Sequence, residues 1–270
     1  MLKGTTRPHD KVWPLGTAPA HGPSRETHLV VILGVGPGLG LAIARTFAAQ
    51  GYRTAILSRS KDRLDAWAQE LDQVARSAYD APPSGPLSLA FACDMHNLES
   101  ISTAFRDIQA AWPEQFIGTA VYNGSVRIRG PFLKSTMQQL QESIDGSIYA
   151  FYTFAQHALR AMETHGQGGS LLVTGASASL RGRVGFPLFG AAKGALRNMT
   201  MSLAKEFGPK NIHVAHVIVD GLIESKIAQD KLGLKDGERF PDGTTWLFLA
   251  QQHPSTWTFE LDLRPAHEHF

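Results

Sequence analysis

With one cysteine, Cys93, among its 270 residues, the chain cannot form an internal disulfide, and the pattern suits a reducing compartment. No apolar run approaches the roughly 20 residues that cross a bilayer, and the N-terminal stretch lacks the apolar core of a secretory signal. A cytoplasmic protein with no membrane partner is therefore expected. Neither sign of charge dominates: 26 basic and 24 acidic residues give a net charge of +2, dispersed along the chain, which leaves no electrostatic footprint for nucleic acid. The expected partner is a small-molecule substrate. Histidine is plentiful, at 11 residues, but without metal-site spacing. His213 and His216 stand three apart in a strand and so face opposite sides, while His267 and His269 sit in a terminal tail, so no metal is expected. Cys93 itself reads as a small buried hydrophobe in a strand.

What is present is a regular alternation. Residues 1–27 carry four prolines and three glycines, a composition that cannot bury enough surface to offset the entropy of ordering, and read as a flexible tail. Residues 28–270 then read as one domain. Short β-branched runs at 28–33, 53–57, 87–92, 118–122, 169–174 and 213–219 alternate with helical spacing at 39–50, 61–78, 98–111, 136–164 and 189–207. A last strand is expected over 256–263. Repeated strand–helix units require a mostly parallel, seven-stranded sheet covered by helices on both faces, an α/β doubly wound Rossmann-type fold. Such a sheet binds its ligand at the carboxyl ends of the strands, where the first and fourth diverge.

Gly34, Gly36, Gly38 and Gly40 follow the first strand directly, and with Leu39 they open the first helix. Missing Cβ atoms let main-chain N–H groups and the helix N-terminus face a pyrophosphate. The second strand ends at Ser58-Arg59-Ser60, where an acid would pair with the ribose hydroxyls of NAD(H). None stands there. Ser58 and Arg59 suit a 2′-phosphate instead, which favours NADP(H) over NAD(H).

The Gly34-x-x-x-Gly38-x-Gly40 spacing, Asp94 after the third strand, Asn123-Gly124 after the fourth and Lys193 in a late helix together resemble the short-chain dehydrogenase/reductase family. The resemblance implies that Asp94 contacts the adenine, Asn123 lines the cofactor cleft and Lys193 binds the nicotinamide ribose. It further implies that the segment Gly221-Leu222-Ile223-Glu224-Ser225 closes over the nicotinamide, with Ile223 holding the carboxamide through its backbone, and that the protein is a homodimer or homotetramer. The catalytic positions depart from the family pattern. Its Tyr-x-x-x-Lys is here Phe189-Gly190-Ala191-Ala192-Lys193, and Phe189 has no hydroxyl to give or take a proton. The catalytic Ser falls on Ala176, or on Ser177 after a one-residue shift, and the Asn that supports a proton-relay water falls on Ser147. With the ending Trp257-Thr258-Phe259-Glu260-Leu261, the chain resembles a branch of the family that lacks the active-site Tyr.

Ketone reduction without that donor should be crippled, whereas a cationic iminium or a conjugated enone needs it less. Three readings follow: a non-standard NADP(H)-dependent oxidoreductase acting on an iminium, enone or carbonyl; a non-redox cyclase, isomerase or dehydratase on the same scaffold; and a dinucleotide-binding pseudoenzyme. Replacement proton carriers are sought among Tyr149, Tyr152, Ser177, Ser179, Asp145 and Asp220, with Tyr149 and Tyr152 equally readable as packing residues and Asp220 as a turn or cap residue. Arg181 and Arg183 read either as anion ligands or as solvated loop cations.

Overall fold

The β1 sequence His28-Leu-Val-Val-Ile-Leu33 carries no polar face, and its side chains divide by parity. Leu29, Val31 and Leu33 enter one core and Val30 and Ile32 the other, as a pleated strand buried on both sides must do. A computed structural model describes residues 27–124, 126–220 and 242–265; the expected tail lies almost wholly outside them. Seven strands form one sheet in the order β3-β2-β1-β4-β5-β6-β7, and every described pairing is parallel. They are β1 (His28–Leu33), β2 (Arg53–Ser58), β3 (Ser88–Ala92), β4 (Phe116–Tyr122), β5 (Gly169–Ala176), β6 (Ile212–Val219) and β7 (Glu260–Leu263).

Helices α1 (Leu39–Ala49) and α2 (Lys61–Arg76) cover one face. Helices α3 (Leu98–Ala111), α5 (Ala150–His165) and α6 (Pro187–Phe207) cover the other. The strand order reverses between β1 and β4, so the chain diverges there and opens a crevice at the carboxyl ends.

Three elements differ from the sequence expectation. The long helix expected over 136–164 is divided into α4 (Met137–Ile144), a π-helical turn (Asp145–Tyr149) and α5. A Cβ at Gly146 would strike Val126 and the His96 ring, so the backbone lies close against the loop after β4, and the Tyr122 hydroxyl donates to the carbonyls of Gly146 and Ser147 at 3.3 and 3.2 Å. Widened turns of this kind free carbonyls for such donors. The last strand is shorter than expected, because Pro254 opens a 3₁₀ turn (Pro254–Thr256) and Trp257 stacks on the His213 ring with centroids 4.9 Å apart. An unforeseen helix, α7 (Thr244–Ala250), buries Trp246 and Leu249 in the core shared with α1.

His213 and His216 do face opposite sides of β6. His213 bonds the carbonyls of Leu249 and Thr258, and His216 pairs with Glu260, which Arg197 also holds. Both histidines have a structural role in the packing of β6. No described helix is long and apolar enough to cross a membrane.

Candidate functional site

Gly34 leaves β1 with φ of 93°, a left-handed conformation that favours glycine. Its N–H and that of Val35 donate to the Leu57 carbonyl at 3.0 and 3.1 Å. A Cβ at Gly34 would strike the Asn123 carbonyl, and one at Gly40 would strike the Gly34 carbonyl. These two glycines are needed for close packing. Gly36 differs: nothing lies within 4 Å of where its Cβ would stand. Helix α1 begins at Gly38 with no side-chain cap and no acid in its first turn, which leaves its dipole and orphan amides facing the open space.

A cleft of about 290 Å³ runs from this turn past Ser58, Arg59, Arg63 and Trp67, with His96 and Val126 on the opposite wall. Arg59 is exposed and no described side chain pairs with it, while Arg63 reaches the Ser60 hydroxyl at 3.1 Å. Open ground above Gly36, an uncapped helix start and an unpaired guanidinium at the end of β2 fit the adenosine-phosphate half of a dinucleotide. Asp94 lies two residues past β3 beside this cleft, where its carboxylate accepts from the His96 N–H at 3.1 Å and its own N–H donates to the Ser100 hydroxyl. Asn123 stands behind the glycine turn, and its amide donates to the Gly34 carbonyl at 3.0 Å. Cys93, on the cleft floor, is buried, and burial pushes its thiol up to about 12, so it behaves as the small hydrophobe the sequence suggests.

Beyond β4 lie the positions to which the resemblance assigns catalysis, each in its own bonding environment. Lys193 is buried on α6, and its ammonium donates to the Thr174 and Gly124 carbonyls at 2.8 and 3.2 Å. Burial brings its pKa down to about 7. Phe189, one helical turn earlier, packs its ring 6.3 Å from that of Phe186. Ala176 ends β5. The hydroxyl of Ser177, which follows it, donates to the Asp220 carboxylate at 2.5 Å. Arg264 and Arg181 hold that same carboxylate, so Asp220 is the centre of an ion-pair cluster at the ends of β5, β6 and β7. Ser179 bonds back to the Ala176 carbonyl.

Ser147 lies in the π-helical turn with its hydroxyl fully buried and no hydrogen-bond partner among the described residues. The carbonyl of the same residue accepts from Tyr122. Asp145 accepts from the Gln141 side chain at 2.7 Å. Tyr149 and Tyr152 are about half exposed, at 48% and 53%, and neither is a core residue of the chain. Gly221, Ile223 and Ser225 lie outside the described residues. Sequence reasoning missed Tyr122, whose hydroxyl is legible only once β4 is set against α5, and it missed Arg127 and Arg129, which share the Phe186 ring with Arg183.

Residues 28–233 match the family model described as short chain dehydrogenase. Among curated relatives, the 3-oxoacyl-[acyl-carrier-protein] reductase of Mus musculus is 29% identical over 201 residues, spanning 73% of this chain and 76% of the relative. Carbonyl reductase family member 4 of Danio rerio is 26% identical over 199 residues, or 74% and 77% of the two chains. Among solved structures, a short-chain dehydrogenase from Rhodopseudomonas palustris superposes with a TM-score of 0.71 at 27% identity, covering 88% of this chain and 99% of that one. A metagenomic short-chain oxidoreductase in complex with NADP superposes with a TM-score of 0.73 at 21% identity, covering 89% and 98%.

Proposed function

The chain belongs to the short-chain dehydrogenase family, and from that premise we propose that it is an NADP(H)-dependent oxidoreductase whose substrate carries its own charge stabilisation, as an iminium or a conjugated enone. The observation that carries this reading is the bonding around position 189: a phenyl ring stands where the proton donor is expected, and the serine hydroxyl that follows Ala176, that of Ser177, is committed to Asp220.

The dinucleotide would supply or accept a hydride when bound. Gly34, Gly36, Gly38, Leu39 and Gly40 would receive its pyrophosphate, and Ser58 and Arg59 its 2′-phosphate. Asp94, Asn123, Gly124 and Lys193, with the segment holding Gly221, Ile223 and Ser225, would position the remainder. Hydride delivery to a neutral ketone builds negative charge on oxygen, and a positioned donor is worth about 10²- to 10⁴-fold there, roughly 3 to 5 kcal/mol. Phe189 cannot provide it. The Lys193 ammonium is engaged by two carbonyls, and the Ser147 hydroxyl is enclosed in the π-helical turn. An iminium carbon accepts hydride to give a neutral amine with no proton required. An enone accepts it at the β-carbon, spreads the charge over the enolate and takes its proton from water.

The single cysteine supports a cytoplasmic location. The half-exposed Tyr149 and Tyr152 support a homodimer or homotetramer joined through that face.

Rapid mixing of the NADPH-loaded protein with a cyclic iminium, 2-cyclohexenone and cyclohexanone, followed by nicotinamide absorbance, tests the reading. The iminium or the enone should oxidise NADPH at least about 10²-fold faster than the saturated ketone. Consumption by none of the three, with NADPH still bound, would point to the non-redox alternative.

A further inference from the structure

We propose that Arg127, Arg129 and Arg183 form a receptor for an oxyanion, a carboxylate or a phosphate, that the substrate carries. The proposal rests on the reading of the ground beside Phe189 as the substrate site, and it narrows the substrate class.

The three guanidinium carbons lie 5.3, 5.4 and 5.6 Å from the centroid of one ring, that of Phe186. They arrive from two loops, one after β4 and one between β5 and α6, which the Gly130 N–H joins by donating to the Gly185 carbonyl at 2.9 Å. An aromatic ring attracts cations over its face, but gathering three cations around one ring sets them against each other. Partial desolvation, and then the charges of Arg129 and Arg183, bring Arg127 below the ordinary arginine value.

Elsewhere arginines meet acids: Arg45 with Glu70, Arg76 with Asp72, Arg106 with Glu99, and Arg197 with Glu260. Arg181, two residues before Arg183, is tied to Asp220. No described acid pairs with any of the three around Phe186. Three guanidiniums gathered on two joined loops offer several N–H forks within reach of one ring, and such forks match the oxygens of a carboxylate or a phosphate.

Placement links the cluster to the chemistry, since the Phe186 ring is 6.3 Å from Phe189. An oxyanion held there would put the unsaturated centre of a short acid beside the catalytic position. The same charges disfavour a purely cationic substrate and favour charge developing on an enolate. The substrate class is thus an unsaturated acid or phosphate ester, and an iminium would enter as a zwitterion.

The test is an NMR titration of the arginine Nε–H signals in the full chain, assigned by single Arg→Lys variants and saturated with NADPH so that the cleft beside Arg59 is filled. The probes are inorganic phosphate, crotonate and the neutral crotonamide. One or both anions should move the Arg127, Arg129 and Arg183 signals together along one saturating curve, with crotonamide inert. Phosphate alone would identify a phosphate ester, and crotonate alone a carboxylate. The R127Q/R183Q variant should lose at least about tenfold in anion affinity while its NADPH affinity stays within about twofold. If NADPH itself fails to bind, the R59A/R63A variant is titrated without it, so failure of the cofactor reading leaves this result legible. Absence of saturable movement in the three signals with either anion, or unchanged anion affinity in R127Q/R183Q, overturns the proposal.

Discussion

The side-chain amide of Asn123 donates to the carbonyl of Gly34 at 3.0 Å, which fixes the end of β4 to the turn after β1 and gives the two neighbouring glycines opposite consequences. Gly34 holds φ of 93° with the Asn123 carbonyl where a Cβ would go, whereas Gly36 faces open space. Gly34→Ala should cost about 2 kcal/mol or more of stability. Gly36→Val should stay within about 1 kcal/mol of wild type yet weaken NADPH binding at least about tenfold, because its side chain enters the ground the pyrophosphate needs. Urea unfolding and an NADPH titration on both variants measure the contrast; comparable stability losses with NADPH binding intact in Gly36→Val would contradict it.

Restoring the missing hydroxyl should not restore ordinary ketone reduction. In Phe189→Tyr the Ser177 proton still goes to Asp220 and the Ser147 hydroxyl remains buried, so the new phenol lacks hydroxyl neighbours to supply and orient its proton. Cyclohexanone turnover in this variant is expected to remain within about tenfold of wild type. A gain near 10³-fold or beyond would show that position 189 alone was limiting.

Acid should weaken the fold through His28. Its half-buried imidazole packs against Tyr52 and Phe116 and is bonded to Thr119, and desolvation there brings its pKa from 6.5 down to about 4. The unfolded chain takes up this proton as pH falls through 6.5, and the folded chain does so only near 4. The stabilising contribution is therefore complete above 6.5 and is lost across that window. Between pH 7 and pH 5 the loss should be about 2 kcal/mol. Urea unfolding of wild type and His28→Gln at the two values checks it: the variant should be less sensitive to pH by that amount, and equal sensitivity would contradict the assignment.

The sheet was legible because its strands are apolar on both faces and its helices carry their own spacing, so both survive reading one segment at a time. The glycine turn was legible for the same reason: its residues lie within seven positions of one another. What the sequence hid depends on distant partners. Asp220 looked like an acid, a base or a turn residue until Arg264, Arg181 and Ser177 closed on it. The π-helical turn at 145–149 keeps helical spacing on either side, and the close approach of Gly146 to Val126 and His96 that accompanies it joins residues far apart in sequence. Helix α7 has seven residues, too few for a periodic signal. Arg183 stands out in the sequence together with Arg181, but its two companions around Phe186 belong to another loop some 55 positions away.

The central claim, that this cleft selects NADP(H) through Arg59, is tested most directly by titrating the purified protein with NADPH and with NADH, in wild type and in Arg59→Ala, using fluorescence from Trp67 on the cleft wall as the reporter. NADPH should bind more tightly than NADH, and Arg59→Ala should weaken NADPH at least about tenfold while leaving NADH within about twofold. Binding of neither nucleotide, or equal affinity for both that the substitution leaves unchanged, would contradict the account.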